Sequence, residues 1–151
     1  MKGNDAFAVR RADWRRDGDA LRAIRHDVFI VEQGVPEVLE WDDADAVSLH
    51  ALAVDAKMKP IGCGRLLPDG HIGRMAVLAA WRGRGVGGEL LSLLINDARN
   101  EGHRRAILNA QVDAIPFYAR YGFTVTGDEF EEAGILHRVM ERSLAVTASS
   151  R

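Results

Sequence analysis

Seven consecutive positions, Arg82, Gly83, Arg84, Gly85, Val86, Gly87 and Gly88, carry little side-chain bulk apart from the two arginines. A backbone so bare can lay its N–H groups against a diphosphate-sized anion. The segment runs directly into ELLSLLINDARNEG, where Leu90, Leu91, Leu94, Ile95 and Ala98 recur at helical spacing and Gly102 supplies the stop. The first turn of that helix adds unpaired N–H groups and the positive end of its dipole. Arg82 and Arg84 place cationic, fork-shaped donors at the rim. The chemistry that suits this junction is the holding of a phosphorylated ligand; the plainer alternative is a glycine-rich turn that binds nothing.

The elements on either side must position that loop. HIGRMAVLAA precedes it and reads as a strand, apolar on both faces over residues 72–78 as in a central strand. Further upstream, residues 6–11 alternate as a first strand. Ala20, Leu21, Ile24, Val28 and Val31 then share one helical face, which predicts a first helix over 17–32 ended by Gly34 and Pro36. Residues 48–54 and 60–67 read as consecutive strands, and Pro68-Asp69-Gly70 turns the chain into the strand before the loop, so these form an antiparallel meander. Downstream, 105–110 is a short apolar strand that the helical crossover places parallel to 72–78. QVDAIPFYARYGF reads as a short helix with Asp113 as N-cap, Pro116 in the first turn and Gly122 at the end. Residues 123–126 and 135–141 are the last two strands, followed by a polar tail, 147–151, expected to fray.

These elements predict an α/β (α+β) chain of one domain over 1–151, with a mixed, mostly antiparallel sheet of about seven strands and helices on both faces. The 47% hydrophobic and 28% charged content is that of an ordinary globular protein. A net charge of −2 gives no general attraction to nucleic acid or an anionic membrane. No apolar run approaches the roughly 20 residues that span a bilayer, and the N-terminus lacks a leader-like core, so the expected location is cytoplasmic. A lone cysteine, Cys63, makes no internal disulfide; set in IGCGRLL, it reads as a buried hydrophobe rather than a nucleophile. No cluster has zinc spacing, so no metal is expected.

A dinucleotide-binding junction needs G-x-G-x-x-G together with an acidic residue about twenty positions on, and a P-loop needs G-x-x-x-x-G-K-[ST]; neither requirement is met. What stands between strand and helix is R-x-x-G-x-G, Arg82 to Gly87. Farther on, Ala114, Phe117, Tyr118, Gly122 and Phe123 form A-x-x-F-Y-x-x-x-G-F. The first pattern resembles the loop between the fourth strand and third helix of the GNAT superfamily of N-acetyltransferases, and the second resembles its fourth-helix signature. VFIVEQGVPEVLEWDDAD, HALAV, IGRMAVLAAWRGRGVG, LNAQ and FYARYGF are similar, more closely, to its ElaA/YjcF-like branch.

The resemblance implies the GNAT fold, with the fourth and fifth strands parallel and splayed, and direct acetyl transfer from acetyl-CoA to a primary amine of a small molecule or peptide. It implies that residues 82–88 hold the diphosphate of the cofactor and that Met75 and Ala76 run along its pantetheine arm. The backbone N–H of Val77 would face the thioester oxygen, and Tyr118 would give a proton to the departing thiolate; a core aromatic is the plainer reading of Tyr118, and Tyr121 lies only three residues away. Gln111 stands where many members place an asparagine that touches the cofactor arm, with Asn109 beside it; hydrogen bonding of the strand-to-helix turn is the other reading of both. For a base that deprotonates the amine, Glu32 ranks first and His71 second, ahead of Asp42, His50 and His137. The acidic segment GVPEVLEWDDADA, with Glu37, Glu40, Asp42, Asp43 and Asp45, is either a solvated loop with capping carboxylates or an acceptor-site wall that attracts a cationic amine. A non-catalytic acyl-CoA-binding module is the alternative to an enzyme. Family habit also suggests a homodimer through an edge strand near Ile135.

Overall fold

The computed structural model describes residues 6–144 of the chain, which leaves the predicted frayed tail, 147–151, outside the described residues. Its elements in order are β1 (Phe7–Ala12), α1 (Trp14–Arg25), α2 (Glu37–Glu40), β2 (Leu49–Asp55), β3 (Pro60–Leu66), β4 (His71–Val77), α3 (Val86–Asn100), β5 (Arg105–Gln111), α4 (Ile115–Ala119), β6 (Thr124–Val125), β7 (Phe130–Glu132) and β8 (Ile135–Ser143). The strands join in one sheet, ordered β1-β2-β3-β4-β5-β8-β6, with β7 paired to β8. The sheet is antiparallel except between β4 and β5, where the parallel register holds at His71↔Ile107 and Ile72↔Leu108.

Two helices cover opposite faces because each has one apolar stripe to bury. Leu90, Leu91, Leu94, Ile95 and Ala98 of α3 pack with Ala51, Ile61, Leu66, Ile72, Leu108, Phe123 and Met140. Leu21 and Ile24 of α1 pack on the other side with Leu52, Val54, Cys63 and Ala76. Cys63 is the buried hydrophobe that its setting predicts, and burial pushes its thiol up to about 12.

The expected mixed, mostly antiparallel sheet of about seven strands is present with eight, the short β7 forming a hairpin with β8. Three expectations are corrected. The strand that starts at Ile135 is not an edge: it pairs with β5 on one side and with β6 and β7 on the other. The helix expected over 17–32 changes form at His26 into a π-helical turn, His26–Glu32, in which Gln33 N–H donates to Val28 O. Asp113 does not cap α4; Val112–Ala114 is a 3-10 turn and Ala114 stands at the N-cap without a side-chain bond. Pro116 removes one of the donors such a cap would serve.

Candidate active site

The site is built around an opening between β4 and β5. Between the pairs Cys63↔Ala76 and Arg65↔Gly73, β4 spends one residue more than β3, and the extra residue is accommodated at Arg74, whose φ is 51°. Parallel pairing with β5 has already ended at Ile72, so the strands part beyond the bulge. Leu78 N–H donates to Ile61 O at 2.9 Å. Alternation of an antiparallel ladder then turns the N–H and C=O of Val77 away from β3, toward the opening. The Val77 carbonyl agrees, since it accepts from Arg82 Nε at 2.9 Å. Ala76 has its side chain in the α1-side core, while Met75 lies beside Gly64 and lines the cleft.

The glycine loop has the backbone that its composition predicts. Gly83 and Gly85 have φ of 78° and 90°, a region that other residues rarely enter. Gly85 is the N-cap of α3 and has no side chain to occupy the helix end; the first helical bond runs from Glu89 N–H to Gly85 O. The N–H groups of Val86, Gly87 and Gly88 therefore precede the helical ladder, at its positive pole. This geometry fits a diphosphate. Arg84 stacks over Trp81, 4.9 Å from its ring.

Glu32 enters the same neighbourhood as the partner of Arg82. Arg82 Nη1 and Nη2 each donate to its carboxylate at 2.7 Å, a bidentate pair linking the π-helical turn to the glycine loop. The Arg82 guanidinium holds the Glu32 carboxyl below the usual carboxylate range.

Beside the opening lies a cleft of about 520 Å³. Met75, Gln111, Tyr118 and His71, all named from the sequence, line it, together with Asn109; residues 82–88, Val77 and Glu32 do not. Tyr118 packs edge-on against Phe117 and Phe123, and burial pushes its phenol up to about 12. Tyr121 packs elsewhere. A Cβ on Gly88 would collide with its hydroxyl, so the Tyr121 ring fills the place beside α3 that only glycine leaves. Gln111 Nε2 donates to Gln33 Oε1 at 3.0 Å, which ties β5 to the π-helical turn.

Two histidines of the cleft have one nitrogen committed. His137 Nδ1 lies 2.7 Å from Ile135 O, and a carbonyl only accepts, so Nδ1 carries a proton and, in the neutral ring, the lone pair is on Nε2. His71 Nδ1 is likewise 3.0 Å from Asp69 Oδ1. Their positions differ. His137 pairs with Gln111 at the end of β5 nearest α4, whereas His71 opens β4, six residues and roughly 20 Å of extended strand before Val77. His50 is elsewhere: buried, stacked on Trp14, with Nε2 donating to Asp45 O at 2.9 Å, and burial holds it below the usual histidine range.

The acidic segment is in part the solvated loop with a capping carboxylate, since Glu37 and Asp43 are exposed and Asp42 accepts from Ala44 N–H, but Glu40, Asp42 and Asp45 are held by arginines rather than forming a free anionic wall. Buried Arg25 donates to Glu40 Oε2 and Asp45 Oδ1, each at 2.8 Å, and to Glu40 O at 3.2 Å. Arg65 Nη1 donates to Asp42 and Asp45 at 2.9 and 3.0 Å, and Arg74 Nη2 to Glu40 O and Asp42 Oδ2 at 2.9 and 3.3 Å. Three arginines thus balance three carboxylates. Sequence reading missed the three cations; Arg65 and Arg74 have one local signal, an arginine set in a largely apolar strand, as in IGCGRLL and HIGRMAV, and Arg25 on α1 has none. Among the described residues no group of His, Cys, Asp and Glu is arranged to hold a metal, and no helix is long and apolar enough to cross a membrane.

Known proteins share this architecture. Residues 20–144 match the family model for the acetyltransferase (GNAT) domain. The uncharacterized N-acetyltransferase YjcF of Bacillus subtilis is 40% identical over 121 residues, covering 78% of this chain and 86% of that protein. ElaA of Escherichia coli is 30% identical over 133 residues, 83% of this chain and 86% of that protein, and its crystal structure superposes with a TM-score of 0.81 over 91% of this chain and all of that one. An acyl-CoA N-acyltransferase from Pseudomonas aeruginosa gives the same TM-score at 28% identity, over 91% of this chain and all of that chain. The fold, the glycine loop at the head of α3 and the parted strands make this chain a member of the GNAT superfamily of N-acetyltransferases, in the branch that includes ElaA and YjcF.

Proposed function

We propose that the chain is an acetyl-CoA-dependent enzyme that transfers the acetyl group directly to a primary amine of a small molecule or peptide. The observation that carries this reading is the opening at Val77: a backbone N–H turned out of the β3–β4 ladder, with Tyr118 in the adjoining cleft and a diphosphate-sized backbone cradle at residues 82–88. Acetyl-CoA supplies an acyl group activated as a thioester.

The residues divide the work. The N–H groups of Val86, Gly87 and Gly88 bind the diphosphate with the helix pole behind them. Met75 and the backbone of Ala76 border the pantetheine path, and Gln111 closes it on the β5 side. Val77 N–H donates to the carbonyl oxygen where negative charge develops, a fixed donor of the oxyanion-hole kind. Tyr118 keeps its proton at rest, because burial disfavours the phenolate, and gives it to the leaving sulfur. A primary amine with a pKa near 10.4 arrives mostly protonated, so a lone pair must accept its proton. His137 Nε2 is the group best placed for that, with Nδ1–H already spent on Ile135 O. His71, at the far end of β4, stands too far from Val77 to take the proton directly. Glu32 is bound to Arg82, so it steadies the loop rather than serving as the base.

The test is direct. Calorimetry is expected to give a CoA complex, and a panel of primary amines with acetyl-CoA is expected to yield free thiol above the enzyme-free rate for at least one amine. CoA binding without thiol release from any amine would instead support a non-catalytic acyl-CoA-binding module.

A further inference from the structure

The arginines that neutralise the acidic segment do not use all their donors on it. Arg74 commits Nη2 to Glu40 O and Asp42 Oδ2, and its Nε lies 3.0 Å from Glu40 Oε2. Its Nη1 has no partner among the described residues, and 24% of the side chain stays exposed where it lines the cleft. Arg65 is nineteen-twentieths buried and lines the same cleft. Its Nη1 is spent on Asp42 and Asp45, its Nε is buried without a partner, and its Nη2 has none among the described residues. Two guanidinium groups lining one cleft therefore retain N–H donors that no described residue satisfies. Arg65 Nε is buried in that state, which is unusual, and Arg74 Nη1, on a side chain 24% exposed, is open to an acceptor from the cleft.

We infer that Arg65 and Arg74 form an anion subsite of the acceptor cleft, and that the acceptor is an amine that also carries a carboxylate, such as an amino acid or short peptide. This deepens the transferase reading and rests on it. The planar fork of arginine matches a carboxylate. Because Arg25, Arg65 and Arg74 are already balanced by Glu40, Asp42 and Asp45, the subsite suits a singly charged group better than a phosphate dianion. Arg74 stands three residues before Val77, about 10 Å of strand at most, a span that one or two amino-acid units bridge. Phe29, Val35, Leu39, Leu67 and Ile135 give the cleft an apolar portion beside polar lining from Gln33, Glu40, Gln111 and Glu132, so the body between amine and carboxylate has room for an aliphatic side chain. The bulge that gives Arg74 its positive φ turns this residue toward Glu40 and Asp42, and so sets the subsite beside the opening.

The experiment uses product analogues, which bind without turnover and carry no ionisable amine. N-acetyl-leucine and N-acetyl-leucinamide are titrated by calorimetry into the free and the CoA-loaded protein. The carboxylate form is expected to bind at least about tenfold tighter, the worth of roughly one charge-assisted bidentate contact. In Arg74→Gln the preference is expected to fall to within about twofold, with binding of the amide unchanged, and Arg74→Lys is expected to restore part of it. Equal affinity of the two ligands for the natural protein, binding of neither, or an equal loss of both in Arg74→Gln would overturn the subsite. None of these results depends on thiol release, so failure of the subsite and failure of the transferase reading are read from different measurements.

Discussion

Replacing Arg25 with methionine is the perturbation whose cost follows most directly from the structure. Arg25 is 1% exposed and holds three oxygens of the acidic segment, so methionine keeps the aliphatic volume but strands two carboxylates that are themselves about 4% exposed. Removing one partner of a buried ion pair costs about 3–5 kcal/mol. Here the low end applies, because Asp45 keeps Arg65 at 3.0 Å and Glu40 keeps Arg74 at 3.0 Å. About 3 kcal/mol in a chain of 151 residues lowers the melting temperature by roughly 6–12 °C. Arg25→Lys keeps the charge but cannot meet three acceptors in one plane, so a loss of about 1–2 kcal/mol is expected. Urea titrations with the slope held common, supported by thermal melts, measure both. A loss under about 1 kcal/mol in Arg25→Met would refute the claim that the acidic segment is anchored from beneath by this residue.

Three further outcomes follow from other parts of the molecule. In Glu32→Gln the Arg82 fork is released to the diphosphate, so CoA should bind a few-fold tighter with a steeper salt dependence, whereas unchanged CoA binding with lost turnover would return Glu32 to the role of base. Gly88→Ala drives a methyl into the Tyr121 hydroxyl and should cost about 1–3 kcal/mol by urea unfolding; a cost near zero would mean that Tyr121 moves freely. His50 is held below its unfolded value of about 6.5 by burial, so its contribution is present above that pH and is lost as pH falls through it, at up to about 1.4 kcal/mol per pH unit; urea midpoints at pH 7.5 and 5.5 should show the fall, and His50→Gln should flatten it.

Much of the donor half of the site was legible because its signals are local. A glycine run that needs positive φ, a helix stripe beginning immediately after it, and the spacing of Phe117, Tyr118 and Gly122 are all written within a few residues of one another. The choice between Tyr118 and Tyr121 was not, since both lie on one short segment and only the packing of Tyr121 against Gly88 separates them. The proposed acceptor half was hidden for a different reason. Arg25, Arg65 and Arg74 come from α1, β3 and β4, and nothing near them in the chain says that they meet Glu40, Asp42 and Asp45. Composition alone left that segment either a solvated loop with capping carboxylates or an anionic wall. The place of β8 was equally long-range: a strand of mixed composition near the chain end reads the same at a sheet edge as between neighbours, and β7 is three residues long, too short to show an alternation.

The central claim is a proton delivered from Tyr118 to the leaving sulfur beside Val77, and the turnover number of Tyr118→Phe tests it most directly. With an amine that the natural protein acetylates, thiol release by Tyr118→Phe is expected to be slower by about 10²-fold or more in kcat, with the KM for acetyl-CoA changed by less than about threefold. A variant that turns over at the rate of the natural protein would contradict it and leave Tyr118 a core aromatic.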